Sequence, residues 1–399
     1  MSAKPQITDS QYTLQSFKKV TDYLSEGVEY GVAPGMVLLI GQAGQVLLSE
    51  SAGKRQVKAD IKNGQNAMSF DTVFDIGSLT SAVVTTTLIM RLVESGKVKL
   101  EDKISRYIQG FGVLGKSKVT VGQLLSHTAG IANWAPLYED LVKANAGARL
   151  GILTSRGAKD FIVNSIVRMP LKAEPGTKQI YSELGFILLG HIVEMLTGMS
   201  LDKAASRMIF QPLGMRSSSY IDLSMIKRRG IHPVADMIAP TEECTWRKRT
   251  LCGEVHDDNA WAMGGIAGHA GLFSNAVDMH IYSSEMLAAF RGKSDFLQRK
   301  TILNFWRSAH ESPANNINEI GWHYGWDSVS RENGMESSKL SKEAVGICGF
   351  TGCSIWFEPG LDLHIILLSN RIHPFRSNKK IFTFRSELHA LIIDSLKSL

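Results

Sequence analysis

The sequence predicts an α+β fold: a central antiparallel sheet flanked by N- and C-terminal helices, joined to a mainly helical lobe. Two observations lead there. Each end of the 399-residue chain carries a helical pattern and two short apolar runs, while the middle, from about 100 to 345, shows helices and loops with few strand signals. Sheet faces and helix stripes must be buried against one another, so two alike ends fit best in one sheet, with the middle as a second lobe. The expected organisation is one domain over 1–399, with an α/β lobe from about 10–75 and 345–399 and a helical lobe from about 76–344.

The elements follow in order. Leu14, Phe17, Val20, Leu24 and Val28 recur at helical spacing, an amphipathic helix over 11–31. Met36 to Ile40 and Val46 to Leu48 are apolar runs separated by Gly-containing turn residues, which reads as a hairpin. A long apolar helical pattern opens near Ser78 and stops at Gly96. Further helices are expected at 184–197 and 276–291. Strands return at Ser354–Pro359 and Asp362–Asn370 around a Pro-Gly turn, and a last helix runs from about Ser386 to Leu396.

Bulk properties exclude several classes. No run of about 18 apolar residues occurs, so no membrane span is expected. The N-terminus MSAKPQITDSQ has no apolar core after its lysine, which points to the cytoplasm as written, or to the periplasm if a leader has been removed. The net charge of +6 is interspersed, and the clusters Lys227–Arg229 and Arg247–Arg249 are short, with no interleaved aromatic platform, so nucleic acid is not an expected partner. Cys244, Cys252, Cys348 and Cys353 have no metal spacing and are expected as thiols, a Cys244–Cys252 bridge requiring an oxidising compartment. No cofactor is implied.

Six stretches carry candidate chemistry. Ser78, after the apolar VFDI, falls at the first turn of a helix, where its hydroxyl either caps unpaired N–H groups or serves as a nucleophile. A lysine one turn on would face the same way and act as base, but that position is Ser81. Tyr181, in QIYSELGF, is either a packing residue or a proton shuttle, and Glu183 either complements a helix N-terminus or faces a site. His127 and His269 sit in tight Gly/Ala settings and read as loop histidines bonded to backbone. His256, Asp257 and Asp258 show no convergence with them, so no metal site is expected. Gly346, Gly349 and Gly352 let a sheet edge approach a ligand closely.

Taken together, these segments resemble the serine β-lactamase and penicillin-binding-protein superfamily, in the branch shared by class C β-lactamases, DD-peptidases and β-lactamase-like esterases. The resemblance covers nearly the whole chain. It is carried by FDIGSLTSAVVTTTLIMRLVESGKVKLEDKISRYI, LLSHTAGI, PGTKQIYSELGFILLGHIVEMLTG, PLGM, GGIAGHAGLFSNAVDM and GFTGCSIWFEPGLDLHIILLSNRIHP. The run from Ile238 to Ser274 further resembles a subgroup linked to bacterial cell-wall turnover.

The resemblance implies an acyl-enzyme mechanism, with a Ser-x-x-Lys serine as nucleophile, its lysine and a tyrosine moving protons, and a K-T-G or H-T-G strand lining the cleft. Ser78 matches the nucleophile and Tyr181 the tyrosine. Three positions depart: Ser81 replaces the lysine, Glu183 replaces an asparagine, and Ile347, Cys348 and Gly349 stand for H-T-G. Ile347 is expected to make that side of the cleft apolar. The expected function is an impaired or inactive member that binds a cell-wall-like or acyl ligand, or a protein partner. The alternative is a weak or unusual esterase or amidase working through an acyl-Ser78 intermediate, in which Ser78, a nearby base and the oxyanion hole suffice.

Overall fold

A computed structural model describes residues 16–57, 66–148, 153–307, 322–329, 335 and 337–397. Leu14, at the front of the expected first helix, lies outside them. Helix α1 (Lys18–Glu29) leads into strands β1 (Gly35–Gln42) and β2 (Gln45–Gly53). Strand β3 (Phe74–Asp75) precedes Ser78, and a π-helical segment, Ser81–Thr86, runs into α2 (Thr87–Glu94). The wide turn is sealed where the Thr87 hydroxyl donates to the carbonyl of Ala82 at 3.1 Å. Helix α3 (Glu183–Thr197), the short strand β4 (Ser219–Tyr220), helix α4 (Asp258–Ala262), strand β5 (Leu272–Ser274) and helix α5 (Ala276–Phe290) build the middle. Strands β6 (Asp327–Ser328), β7 (Val345–Cys348), β8 (Ser354–Glu358) and β9 (Leu363–Ser369) precede the last helix, α6 (Ile381–Lys397).

The two ends of the chain meet in one antiparallel sheet of order β2-β1-β9-β8-β7-β6. β1 pairs with β9 from Met36 opposite Ser369 to Gln42 opposite Leu363. Successive side chains point to opposite faces. Met36, Leu38, Ile40, Leu363, Ile365 and Leu367 pack under α1 and α6 with Phe17, Val20, Leu24, Leu388 and Ile392. Val37, Leu39, Ile347, Ile355, Ile366 and Leu368 face the helical part. Burial on both faces explains why these strands read as unbroken apolar runs rather than alternating ones.

A second, smaller sheet, β3-β5-β4, fixes the entry to the site. β3 pairs with β5 at Phe74–Ser274 and Asp75–Phe273, so Asp75 and the turn after it are held by a residue pair nearly 200 positions away. Gly96, at a positive φ of 69°, ends the helix that follows. Among the described residues no single helix is long and apolar enough to cross a membrane. All four cysteines are free thiols.

Candidate functional site

Ser78 stands in the turn between β3 and the helix after it, and it is buried. The turn is built by Asp75, whose carboxylate accepts from the N–H of Gly77 at 2.9 Å and from the N–H of His256 at 2.7 Å. Gly77 has a positive φ of 57°, which favours glycine, and a Cβ there would lie tight against the Thr351 hydroxyl at 3.0 Å. The N–H groups of Leu79, Thr80 and Ser81 bond to the carbonyls of Ile76, Gly77 and Ser78. Ser81 lies inside the helix at 4% exposure, one turn beyond Ser78, in the π-helical segment.

Tyr181 comes to Ser78 from the other side, close enough for the Ser78 hydroxyl to favour the ionised phenol. Its ring packs in a three-ring cluster with His127, at 4.7 Å centroid to centroid, and Trp322, at 5.2 Å, those two being 4.7 Å from each other. His127 is held at φ 58°, its Nδ1 accepts the N–H of Ser182 at 2.9 Å, and its carbonyl accepts the N–H of Ile180 at 2.8 Å. The LLSHTAGI loop therefore grips both sides of Tyr181. Burial alone pushes His127 down to about 3, so it is a neutral and only weakly basic imidazole.

Among the described residues no cation stands beside Tyr181. Burial first, then the carboxylate of Glu183, push its phenol well above its ordinary value; Asp327 and Asp257 add to the rise, and only the Ser78 hydroxyl opposes it. A phenol in that setting stays protonated at neutral pH.

A cleft of about 240 Å³ opens beside Ser78, lined by Asp75, Gly77, Trp134, Glu183, Asp257, Thr351 and Arg376 among others. Glu183 is the first residue of α3, behind the N-cap Ser182, whose hydroxyl accepts the N–H of Gly185. Asp257 caps α4, accepting the N–H of Ala260 at 2.6 Å, and it bonds His269 Nε2 at 2.9 Å. One ligand atom each from Glu183, Asp257 and His269 lies within 4.8 Å of the others. Burial and the neighbouring Asp257 charge push Glu183 up to about 7, with His269 opposing. Burial would raise Asp257 as well, but the imidazole of His269 outweighs it and holds Asp257 low. His269 is raised because its carboxylate neighbours overcome burial.

On the far wall, Arg376 binds both oxygens of Glu242, at 2.8 and 2.7 Å, and Glu242 also meets His256 Nε2 at 2.7 Å. Trp134 and Phe350 are 44% and 46% exposed, the ring of Phe350 being stacked on His256 at 5.7 Å with the Arg371 guanidinium 4.6 Å from its centroid.

The family model described as Beta-lactamase matches residues 20–390. The chain belongs to the Beta-lactamase family. It is 30% identical over 392 residues to an N-acetylmuramyl-L-alanine amidase of Bacillus subtilis (strain 168), covering 91% of this chain and 83% of that one. A Salmonella typhi protein provisionally named a D-alanyl-D-alanine carboxypeptidase is 28% identical, over 92% of this chain and 85% of its own. Among solved structures, EstCE1, a hydrolase with promiscuous acyltransferase activity, superposes with a TM-score of 0.71 at 20% identity, over 95% of this chain and 100% of that one. The octameric penicillin-binding protein homologue from Pyrococcus abyssi gives 0.69 at 21%, over 96% and 77%. These two likenesses establish the fold.

Within this Beta-lactamase-family framework, Ser78, Tyr181 and Glu183 are brought together as the sequence motifs suggest, with Ser81 one turn behind Ser78. The H-T-G positions are not placed as expected. Ile347 is 1% exposed and packs in the core beneath the sheet, so it does not make the cleft apolar. Cys348 accepts a hydrogen bond from Trp356 Nε1 at 3.4 Å. Gly349 bonds the Cys353 carbonyl at 2.7 Å, and a Cβ on it would meet the Ile76 carbonyl at 2.9 Å. The wall of the cleft is formed instead by Phe350 and Thr351. Sequence reasoning also left Asp257 and His269 outside the site. They are twelve residues apart and across a turn from each other, so no spacing rule joins them.

Proposed function

We propose that this chain is a Beta-lactamase-family protein whose Ser78 is not driven as an acyl-transfer nucleophile and whose cleft binds a peptide-bearing sugar of the cell-wall type. The observation that carries this reading is the environment of Tyr181: it touches Ser78 and is flanked by carboxylates, with no lysine at 81 to lower its pKa. General-base assistance is worth roughly 10² to 10⁴ in rate, and where groups act as one unit a single loss removes most of the catalysis.

The ligand class is supported by two things. The relatives are named for amide bonds of N-acetylmuramyl-L-alanine and D-alanyl-D-alanine. Trp134, exposed at the cleft, offers an aromatic side chain on which the apolar face of a sugar ring stacks, as Trp and Tyr do at other wet apolar surfaces. The experiment has two parts. Intact-mass spectrometry after incubation with a fluorophosphonate compares wild type with Ser78→Ala, and calorimetry measures binding of N-acetylmuramyl-L-alanine. Binding without an adduct is expected; an adduct that vanishes in Ser78→Ala overturns the silent-nucleophile reading.

A second reading rests on Glu183, whose carboxylate lines the same cleft as Ser78 and can accept a proton from it. The chain is then an unusual esterase or amidase with an acyl-Ser78 intermediate. Ester hydrolysis lost in both Ser78→Ala and Glu183→Gln supports that route, and hydrolysis retained in either removes it.

A further inference from the structure

We propose that Glu183, Asp257 and His269 form a binding site for one divalent transition-metal ion of the Zn²⁺ or Mn²⁺ class, open to the Ser78 cleft. Their three ligand atoms lie within 4.8 Å of one another, so a closing movement of a few tenths of an ångström brings them onto one ion at bonds of about 2.0–2.2 Å. Two carboxylates and an imidazole suit Zn²⁺, Mn²⁺ or Fe²⁺, and are too few hard oxygens for a Ca²⁺ cage.

The three ligands come from separate places: the first turn of α3, the N-cap of α4 and the loop before β5. The tertiary fold holds them rather than local sequence. Asp257 is fixed by the Ala260 N–H, and the His269 side chain is 1% exposed. Glu183 and Asp257 line the cleft, which gives an ion its entry and leaves a coordination position facing a ligand.

Two further observations point to a ligand. His269 Nδ1 is buried without a hydrogen-bond partner, so of the two ring nitrogens only Nε2, bonded to Asp257, is satisfied. Among the described residues no lysine or arginine pairs with Glu183 or Asp257; His269 offsets one carboxylate and the other has no cation, although the chain as a whole carries a charge of +6. A divalent ion supplies the missing positive charge.

The test uses the full chain after chelator treatment, titrated calorimetrically with ZnCl₂ and with MnCl₂, and with CoCl₂ for absorption spectroscopy. Expected are one site per chain and a cobalt spectrum without a thiolate charge-transfer band, which separates this site from the four cysteines. Asp257→Asn and His269→Asn should weaken binding by 10- to 100-fold or more. Glu183→Gln leaves the Asp257–His269 pair intact, so it serves as the well-folded variant and should weaken binding at least tenfold. No binding to wild type, a thiolate-bound cobalt spectrum, or a folded Glu183→Gln protein that binds as wild type each overturns the proposal.

Discussion

The ring of His127 stacks 4.7 Å from that of Tyr181, while its Nδ1 accepts the N–H of Ser182, the N-cap of α3. One neutral imidazole thus orients the phenol that meets Ser78 and the start of the helix that carries Glu183. Its role is positional, and it costs acid resistance.

The first prediction follows from that burial. His127 is pushed from its ordinary 6.5 down to about 3. Between those values the unfolded chain binds a proton that the folded chain does not, so stability falls as pH drops from about 6.5 towards 3 and is fully present above 6.5. One such group contributes a slope of about 1.4 kcal/mol per pH unit. Other buried histidines, His364 and His389, are shifted the same way and steepen the total. Urea denaturation of His127→Gln from pH 7 to 4 should show up to one proton less in that slope. An unchanged slope would mean that His127 is charged in the fold.

The second prediction concerns Ser81→Lys. Restoring a lysine returns one group, but the H-T-G positions still hold Ile347 and Cys348, and position 81 is 4% exposed within a packed helical segment. Inserting a long side chain there should destabilise the fold by about 1–3 kcal/mol. Turnover of a chromogenic cephalosporin should stay at background. Robust hydrolysis by this single variant would show that the lysine alone separates Ser78 from activity.

The sheet was legible in the sequence because its strands are buried on both faces and therefore apolar throughout. That both ends share one antiparallel sheet followed from their likeness; which strands pair did not. β7 was not foreseen as a strand of its own: at four residues, with Gly346 inside it and Gly349 after it, Val345–Cys348 carries too little pattern to separate it from a turn. The same uncertainty led to Ile347. Its position in the motif put it on the cleft, but the pleat turns it into the core, and the residues that follow the strand, Phe350 and Thr351, reach the cleft instead. Ser78, Tyr181 and Glu183 were legible because each sits in a distinctive local run. Asp257 and His269 look like ordinary loop residues in sequence, and only the tertiary path past α4 brings them against Glu183.

The third prediction tests the turn that holds Ser78. Asp75 is 2% exposed and its carboxylate satisfies two backbone N–H groups, of Gly77 and His256. Asp75→Ala leaves both donors buried without an acceptor, at about 1–3 kcal/mol each. Asp75→Asn keeps one amide oxygen to accept and should cost roughly half as much. Thermal or urea denaturation of the two variants checks the order; equal stability of Asp75→Ala and wild type would sink the argument that this carboxylate fixes the turn.

The last prediction lies behind His269. Gly268 is packed against α3 so closely that a Cβ would stand 2.1 Å from the carbonyl of Phe186 and 3.0 Å from the Gly190 Cα, both backbone atoms that no rotamer change can move. The Gly268 carbonyl also accepts the Thr85 hydroxyl at 2.6 Å, tying this loop to the helix that follows Ser78. A methyl at 268 must push the loop away from α3, and with it His269 from Asp257 and Glu183. Gly268→Ala should therefore destabilise the protein by several kcal/mol, beyond the 1–3 typical of overpacking where side chains can yield. The adjacent Ala267 is a control, since it already carries a Cβ in the same loop. Ala267→Ser should change stability much less. If denaturation gave Gly268→Ala the stability of wild type, the close approach of this loop to α3 would be wrong, and with it the placement of His269 in the cluster.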